Sequence, residues 1–382
     1  MTRKLPSRDE VIDALEELAQ NGVAGPGTAA LFDVGTTEFL KYFEREVFDE
    51  LVANGGSTCK IFEGAYGSGK SHLLQLLQES ALQRGMAVVR TDLSQALNLE
   101  DWHLITKHVL QNIEWRSNFG TVRSLPRVLD AVRREPWAKT EAVKSSAMAH
   151  PGFARAISLA CNPDTLLYDG RVLLGQFLQG ERVSAAALKA CGVLNVKHPL
   201  SKRNAELVLK TILSTLRAIG VPGTLLLYDE TEKTFAFNRA NPPRKVVVGA
   251  NLLRRLIDAS ANGSLVSAVI VFAVLQDFVD NCGFAYAALG QRLRRAPTGT
   301  PVAWRWPVLA LDAVNSAPEP KDFVKALAAR HESVLQGCGV HANGARREFV
   351  EAGMMTISRH AGSEYKRYVV KKIASMALDH LS

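Results

Sequence analysis

Apolar residues recur along the chain with two periods, and the switches between them outline the fold. Val11, Leu15 and Leu18 fall at helical spacing in a short amphipathic segment, which the turn signals from Asn21-Gly22 to Pro26-Gly27 close. A second helix is expected from about Thr37 to Leu51. Asn54-Gly55-Gly56-Ser57 then breaks the chain before Thr58 to Glu63, a β-rich run, and helical spacing resumes from Lys70 to Gln83. After Arg84-Gly85 the run Ala87 to Asp92 reads as the next strand. Strand, loop, helix and strand make a crossover unit, which implies a parallel sheet covered by helices.

From Leu99 to Ala218 the pattern turns largely helical, with breaks at Glu135-Pro136, His150-Pro151, Asn162-Pro163 and His198-Pro199. That is longer than one crossover needs, so the stretch reads as a helical insertion. Two strongly apolar strands follow, Thr224 to Tyr228 and Leu265 to Leu275. They are separated by a helix around Val247 to Ala261 whose Leu252, Leu253, Leu256 and Ile257 would face the sheet. A turn at Pro297 to Pro301, a short segment from Val302 to Leu311 and the break Pro318-Glu319-Pro320 lead into helices near Lys321 to Leu335, Gly344 to Arg359 and Ser363 to His380. The expected fold class is α/β: a three-layer core with a parallel sheet, a helical insertion and a C-terminal helical lid. The divisions fall at 1–98 for the N-terminal helices and first half of the core, 99–218 for the insertion, 219–300 for the second half and 301–382 for the lid.

Composition refines this picture little. The 382 residues are 47% apolar and 22% charged, an ordinary globular balance that allows a large core. Five scattered cysteines without CxxC spacing indicate neither a disulfide framework nor a zinc site. The first ten residues lack the apolar stretch of a signal peptide, and the longest apolar run, Leu265 to Leu275, is too short for a membrane helix. A cytoplasmic protein without membrane contact is expected. The net charge of +8 is compatible with nucleic acid as a partner but does not select it.

The chemistry is carried by Gly64-Ala65-Tyr66-Gly67-Ser68-Gly69-Lys70-Ser71, a complete GxxxxGK[ST] pattern between an expected strand and an expected helix. Glycines let the backbone curl so that its N–H groups converge on phosphate oxygens, and the helix that follows adds the positive end of its dipole. Lys70 would reach the β- and γ-phosphates of ATP, and the Ser71 hydroxyl would hold Mg²⁺. Tyr66 either shields the nucleotide or packs.

A nucleotide hydrolase also needs a carboxylate to organise the metal and a second to polarise water. Leu225-Leu226-Leu227-Tyr228-Asp229-Glu230 supplies both at a strand end, with Asp229 placed for the metal and Glu230 as general base. Glu232 and Lys233 just beyond read equally as a solvated pair or as part of a switch. Arg292 lies where an arginine finger could emerge towards a neighbouring subunit, with Arg294 and Arg295 as rivals, and a plain basic patch is the competing reading. The histidines lack metal-ligand spacing. The basic pairs Arg254-Arg255, Arg346-Arg347, Lys366-Arg367 and Lys371-Lys372 could track a nucleic-acid backbone, although helices usually carry such residues on solvated faces.

With these residues placed, the chain resembles AAA+ type P-loop ATPases and, more narrowly, the BrxD-like ATP-binding proteins of BREX phage-defence systems. The likeness rests on Ala30-Leu31-Phe32-Asp33-Val34-Gly35, on Glu63 to His72 followed by Arg84-Gly85-Met86 and Val88-Val89, and on Tyr228-Asp229-Glu230-Thr231-Glu232. The resemblance implies that Val34 and Gly35 lie near the adenine and that His72 closes the nucleotide-binding block. It further implies that Arg292 serves as the finger and that Lys366 or Arg367 in the lid senses nucleotide. Where the family places a small polar residue after its sensor strand, this chain has Leu275 followed by Gln276.

The leading expectation is an ATP-hydrolysing protein that forms homo-oligomers and acts on DNA or on defence-system partners such as a helicase. A nucleotide-gated scaffold or switch with little hydrolysis is the second reading. A small-molecule P-loop kinase is the third, disfavoured because a second carboxylate beside Asp229 suits water activation.

Overall fold

The computed structural model describes residues 7–381 except 26, 94–96, 98, 144–147, 235–242, 296–304, 316–318, 341–343, 361 and 363. Its strands are β1 (Thr58–Glu63), β2 (Ala87–Asp92), β3 (Glu114–Ser117), β4 (Gly120–Arg123), β5 (Thr224–Asp229), β6 (Ala268–Val274) and β7 (Val308–Ala310). They form one sheet in the order β4-β3-β2-β5-β6-β1-β7. The five strands from β2 to β7 in that order run parallel, and the β3–β4 hairpin adds antiparallel to the outer edge of β2.

Helices follow the same chain order. First come α1 (Arg8–Asn21), α2 (Thr37–Phe43), α3 (Lys70–Gln83), α4 (Trp102–Asn112), α5 (Leu125–Val132), α6 (Pro151–Cys161), α7 (Tyr168–Leu178), α8 (Ala185–Ala190) and α9 (Ala205–Ala218). Next come α10 (Arg244–Ala261), α11 (Phe278–Ala285), α12 (Ala287–Gly290), α13 (Leu311–Val314), α14 (Pro320–Gly337), α15 (Ala345–Arg359) and α16 (Tyr365–Leu381). The second expected helix starts where the sequence places it, at Thr37, but widens to π winding over Glu44–Val52.

Both faces of the sheet are covered, which is why its central strands read as unbroken apolar runs. The period-2 alternation sorts their side chains: Leu225, Leu227, Val269 and Val271 pack with α3 and Phe43 on one face. Leu226, Tyr228, Ile270 and Phe272 join the insertion and α10 on the other. Phe43 and Phe62 are fully enclosed, and truncating either to Ala would cost about 3–5 kcal/mol.

The 99–218 stretch is not wholly helical, because β3 and β4 lie within it. Four-residue strands are too short for periodicity to register, and the turn between them, with Gly120 at φ 120°, was their one local signal. The other short strand, β7, ends the segment expected at Val302 to Leu311, whose residues 302–304 lie outside those described.

A third apolar cluster unites α1 with α14, α15 and α16. Val11, Leu15 and Leu18 meet Val369, Ile373 and Ala377 there, so the first helix of the chain completes the C-terminal bundle. Ser7 and Glu10 form a capping box at its start, and Gly22 at φ 75° ends it. A Cβ on Gly22 would stand 2.9 Å from Cγ of Arg367, so glycine also permits that close approach. No described helix is long and apolar enough to cross a membrane.

Candidate nucleotide site

The glycine loop leaves β1 and feeds α3, as the sequence pattern requires. Gly64 N–H donates to the Val274 carbonyl at 3.1 Å, which fastens the loop to the end of β6. Gly67 (φ 75°) and Gly69 (φ 101°) take the left-handed conformations that curl the backbone. A Cβ on Gly64 would lie 2.6 Å from Oγ of Ser68, so a side chain at that position would force Ser68 to turn away. That Oγ is itself buried and without a hydrogen-bond partner among the described residues.

Lys70 opens α3 and folds back under the loop, its Nζ donating to the carbonyls of Gly64 at 2.8 Å and Ala65 at 2.9 Å. Burial lowers the pKa of the ammonium, and the facing carboxylates of Glu232 and Asp229 pull it part of the way back. Ser71 follows in the first turn of α3, half-buried.

Asp229 ends β5 almost fully enclosed, and its Oδ1 accepts from Glu230 N–H at 2.9 Å. Glu230 sits at φ 53° and is 44% exposed, with its carboxylate paired to Lys233. Glu232 and Lys233 therefore do not pair with each other. Glu232 turns inward instead: its Oε2 is buried without a partner among the described residues, and its carboxyl pKa is raised, foremost by loss of solvation.

Asp92 joins these carboxylates without any motif to mark it. It ends β2 in register with Asp229, and its carboxyl is likewise raised, first by burial and further by Asp229 and Glu230 against the opposing pull of Arg90. Arg90 lies 3.7 Å from Asp229. An apolar strand that ends in Asp beside another was the available signal.

The lead-in segment lies against α3. Glu79 accepts from the Gly27 and Ala29 amides at 2.8 and 3.1 Å. Buried Asp33 accepts from the hydroxyls of Thr36 (2.5 Å) and Thr37 (2.9 Å) and faces His72 Nε2 at 3.7 Å. Burial pushes the Asp33 pKa up, but these hydrogen bonds and His72 outweigh it, and the net shift is downward. The turn Asp33-Val34-Gly35, with Gly35 at φ 91°, is thereby tied to the residue that follows Ser71.

The three arginines after β6 separate clearly. Arg292 pairs with Asp258 of α10 and donates to the Ala288 carbonyl at 2.6 Å. Arg295 forks onto Glu63, the last residue of β1, at 2.7 and 2.8 Å and also pairs with Asp280, which raises its pKa. Arg294 is exposed and makes no ion pair with a described residue.

In the bundle, Arg367 donates to the Tyr66 hydroxyl at 2.5 Å, with its guanidinium 5.7 Å from the ring centroid. Tyr66 therefore neither packs into the core nor stands free: it is a contact between loop and bundle. Lys366 turns the other way, over the ring of Phe323 at 5.7 Å. Leu275 stands just past the end of β6, between β1 and β5, and Gln276 follows it in an exposed position.

The residues present fit a magnesium triphosphate. A curled amide loop, an enclosed ammonium, an orphaned serine hydroxyl and two inward carboxylates converge at the C-terminal ends of adjacent parallel strands, where α/β sheets bind ligands. No group of three or more His, Cys, Asp or Glu able to hold a metal occurs among the described residues. Compared with known protein families, the chain matches the model for the BREX system ATP-binding protein BrxC/D over residues 5–162 and 145–319. Comparison with curated proteins gives no match.

Proposed function

The chain belongs to the BREX system ATP-binding protein BrxC/D family, which binds ATP in phage defence, and on that premise we propose that it is an AAA+ type ATPase. In this reading hydrolysis changes its assembly and its action on DNA or on partner proteins of the defence system. The observation that supports it most is the Lys70 ammonium under the glycine loop, facing the carboxylates at the end of β5. The strand order adds support, because β6 separates β1 from β5 and ends beside the loop, where a sensor strand belongs.

Loop amides, the N-terminus of α3 and Lys70 would bind the phosphates, and Tyr66 with Val34 and Gly35 would flank the nucleoside. Ser71 and Asp229 would hold Mg²⁺, which when bound would neutralise phosphate charge. Glu230, released from Lys233, takes a proton from the attacking water as its oxygen bonds the γ-phosphorus and ADP departs. An arginine from a neighbouring subunit would stabilise the charge, either Arg292 after leaving Asp258 or the untethered Arg294.

A specific observation favours a second reading, a nucleotide-gated switch with slow turnover. Glu230 and Arg292 are both held in ion pairs, and an apolar Leu275 follows the end of β6. Phosphate release by the purified protein, with and without single-stranded and duplex DNA, separates the two. Turnover raised by DNA and abolished by Glu230→Gln and Lys70→Ala supports the ATPase. Unchanged, very slow turnover in all of them, with ATP still bound by Glu230→Gln, supports the switch. If Glu232→Gln stops turnover and Glu230→Gln does not, the inward carboxylate is the base.

A further inference from the structure

The insertion carries a cleft of its own, remote in sequence from every residue assigned above. Four of its helices begin on the cleft walls, three of them long enough for a dipole to matter: α4 capped by Asp101, α6 capped by His150 and α9 behind Asn204. The main hollow is about 820 Å³, and it adjoins a second of about 690 Å³ with which it shares His150 and His198. Together they make one open groove.

Its walls are strongly basic. Arg182, Lys202 and Arg203 line one end with His103, and Arg155 and Lys197 line the other. Lys202 pairs with Asp101 at 2.8 Å, and no Asp or Glu lines either hollow. Arg155, Arg182, Lys197 and Arg203 make no ion pair with a described residue. Some cations elsewhere are matched, as Arg84 is by Glu44 and Asp49, Arg133 and Arg134 by Asp130, and Arg295 by Glu63. Five cationic side chains and no carboxylate on its walls make the groove a local concentration of positive charge.

The groove is also built. Gly152 lets the start of α6 approach the facing loop so closely that a Cβ would stand 2.3 Å from the Lys197 carbonyl. Asn195 and His198 in that loop hold positive φ angles of 64° and 59°, and Asn204 receives the Ser201 N–H at 2.8 Å and donates to the Pro199 carbonyl at 3.1 Å. These contacts fix the wall that carries Lys197, Lys202 and Arg203.

We propose that this groove binds the phosphodiester backbone of nucleic acid. A compact nucleotide would call for an apolar slot for its base, whereas the lining here offers only Val183, Pro199 and Leu200 beside the first group of charges. Cations distributed along an open groove suit a ligand that repeats its phosphates and is held without base readout. The inference deepens the proposed action on DNA and rests on it for its purpose, while the binding itself needs neither ATP nor hydrolysis.

Binding of fluorescein-labelled 20-nucleotide single-stranded and 20-base-pair duplex DNA, followed by anisotropy in EDTA without ATP, tests it. Reversing Arg182, Lys197 and Arg203 to Glu is expected to weaken binding at least tenfold and to flatten the slope of log K against log salt by about 2–3, one phosphate contact per residue. All three side chains are exposed, and unchanged Mg-ATP affinity confirms that the variant is folded. Reversing exposed Lys325, Arg346 and Lys372 of the bundle makes the same change in net charge and is expected to leave affinity within twofold. Equal losses from both triple variants, or none from the first, overturn the proposal. So does complete displacement of DNA by millimolar inorganic phosphate, which marks a small-anion site, or equally tight binding of poly-glutamate, which marks an acidic protein partner. Lys70→Ala that abolishes turnover while leaving DNA affinity intact keeps the fate of this groove separate from that of the nucleotide site.

Discussion

His331 makes the C-terminal bundle sensitive to acid. Its ring is completely buried in α14, tilted against Phe32 at 5.0 Å between centroids and 6.3 Å from Phe349, with Nδ1 bonded to the Leu327 carbonyl at 2.9 Å. Nε2 is buried and has no partner among the described residues, so a second proton there would be both charged and unpaired. Burial accordingly lowers its pKa to about 4 from 6.5. Above pH 6.5 both states hold the neutral ring, and the group is silent. As the pH falls from 6.5 to about 4 the unfolded chain gains a proton that the folded one refuses, and stability is lost. At about 1.4 kcal/mol per pH unit, the full loss is about 3 kcal/mol. His331→Phe keeps the ring, removes the orphaned nitrogen and gives up one helix-carbonyl bond, so at pH 7 it should match the parent within about 1 kcal/mol. Urea unfolding at pH 7, 6, 5 and 4.5, with hydrogen exchange reporting on α14 and α16, should show the two proteins diverging steadily as acid is added. Asp33, whose pKa is lowered, adds a loss at still lower pH that is common to both. Parallel stability curves for parent and variant would refute the reasoning.

Four further outcomes follow from the site. Lys233→Ala frees Glu230 from an exposed ion pair and should raise steady-state ATP turnover about two- to fivefold, and a fall would show that Lys233 serves the chemistry directly. Arg367→Ala removes the bundle's hold on Tyr66 and should weaken Mg-ATP binding in calorimetry about tenfold, whereas Lys366→Ala, whose side chain lies over Phe323, should leave it within twofold. Arg295→Met strands buried Glu63 and should lower unfolding free energy by about 2–3 kcal/mol, with loss of ATP affinity following from the displaced loop. Arg292→Ala and Arg294→Ala, assayed across protein concentration, should spare ATP binding, and the finger is whichever lowers turnover only where subunits associate.

The parts of this fold that could be read from sequence are those whose cause is local. Unbroken apolar runs at 224–228 and 268–274 meant strands buried on both faces, and the GxxxxGK[ST] pattern required a strand before it and a helix after it. What escaped depends on contacts between distant segments. The pairing of α1 with α16 is written in two ordinary amphipathic stripes that do not name each other. The roles of Glu230 and Glu232 turn on one residue at positive φ, which sends the first carboxylate outward to Lys233 and leaves the second facing Lys70. Arg292, Arg294 and Arg295 look alike in sequence; only the positions of Asp258 and Glu63, 34 and 232 residues away, tell them apart.

The bundle takes its first helix from one end of the chain and its last three from the other, and Arg8 reaches the Leu381 carbonyl at 2.6 Å to close the seam. Two covalent strands therefore tether it to the sheet layer, one through Gly22 to Thr36 and one ahead of Pro320. Ala29 and Phe32 of the first tether and Leu76 of α3 are buried in the same apolar cluster, so the bundle is also seated on the helix that follows the glycine loop. The first tether runs past the Asp33-Val34-Gly35 turn and Arg367 rides on the bundle, so any displacement of the bundle would be felt on both sides of the glycine loop together.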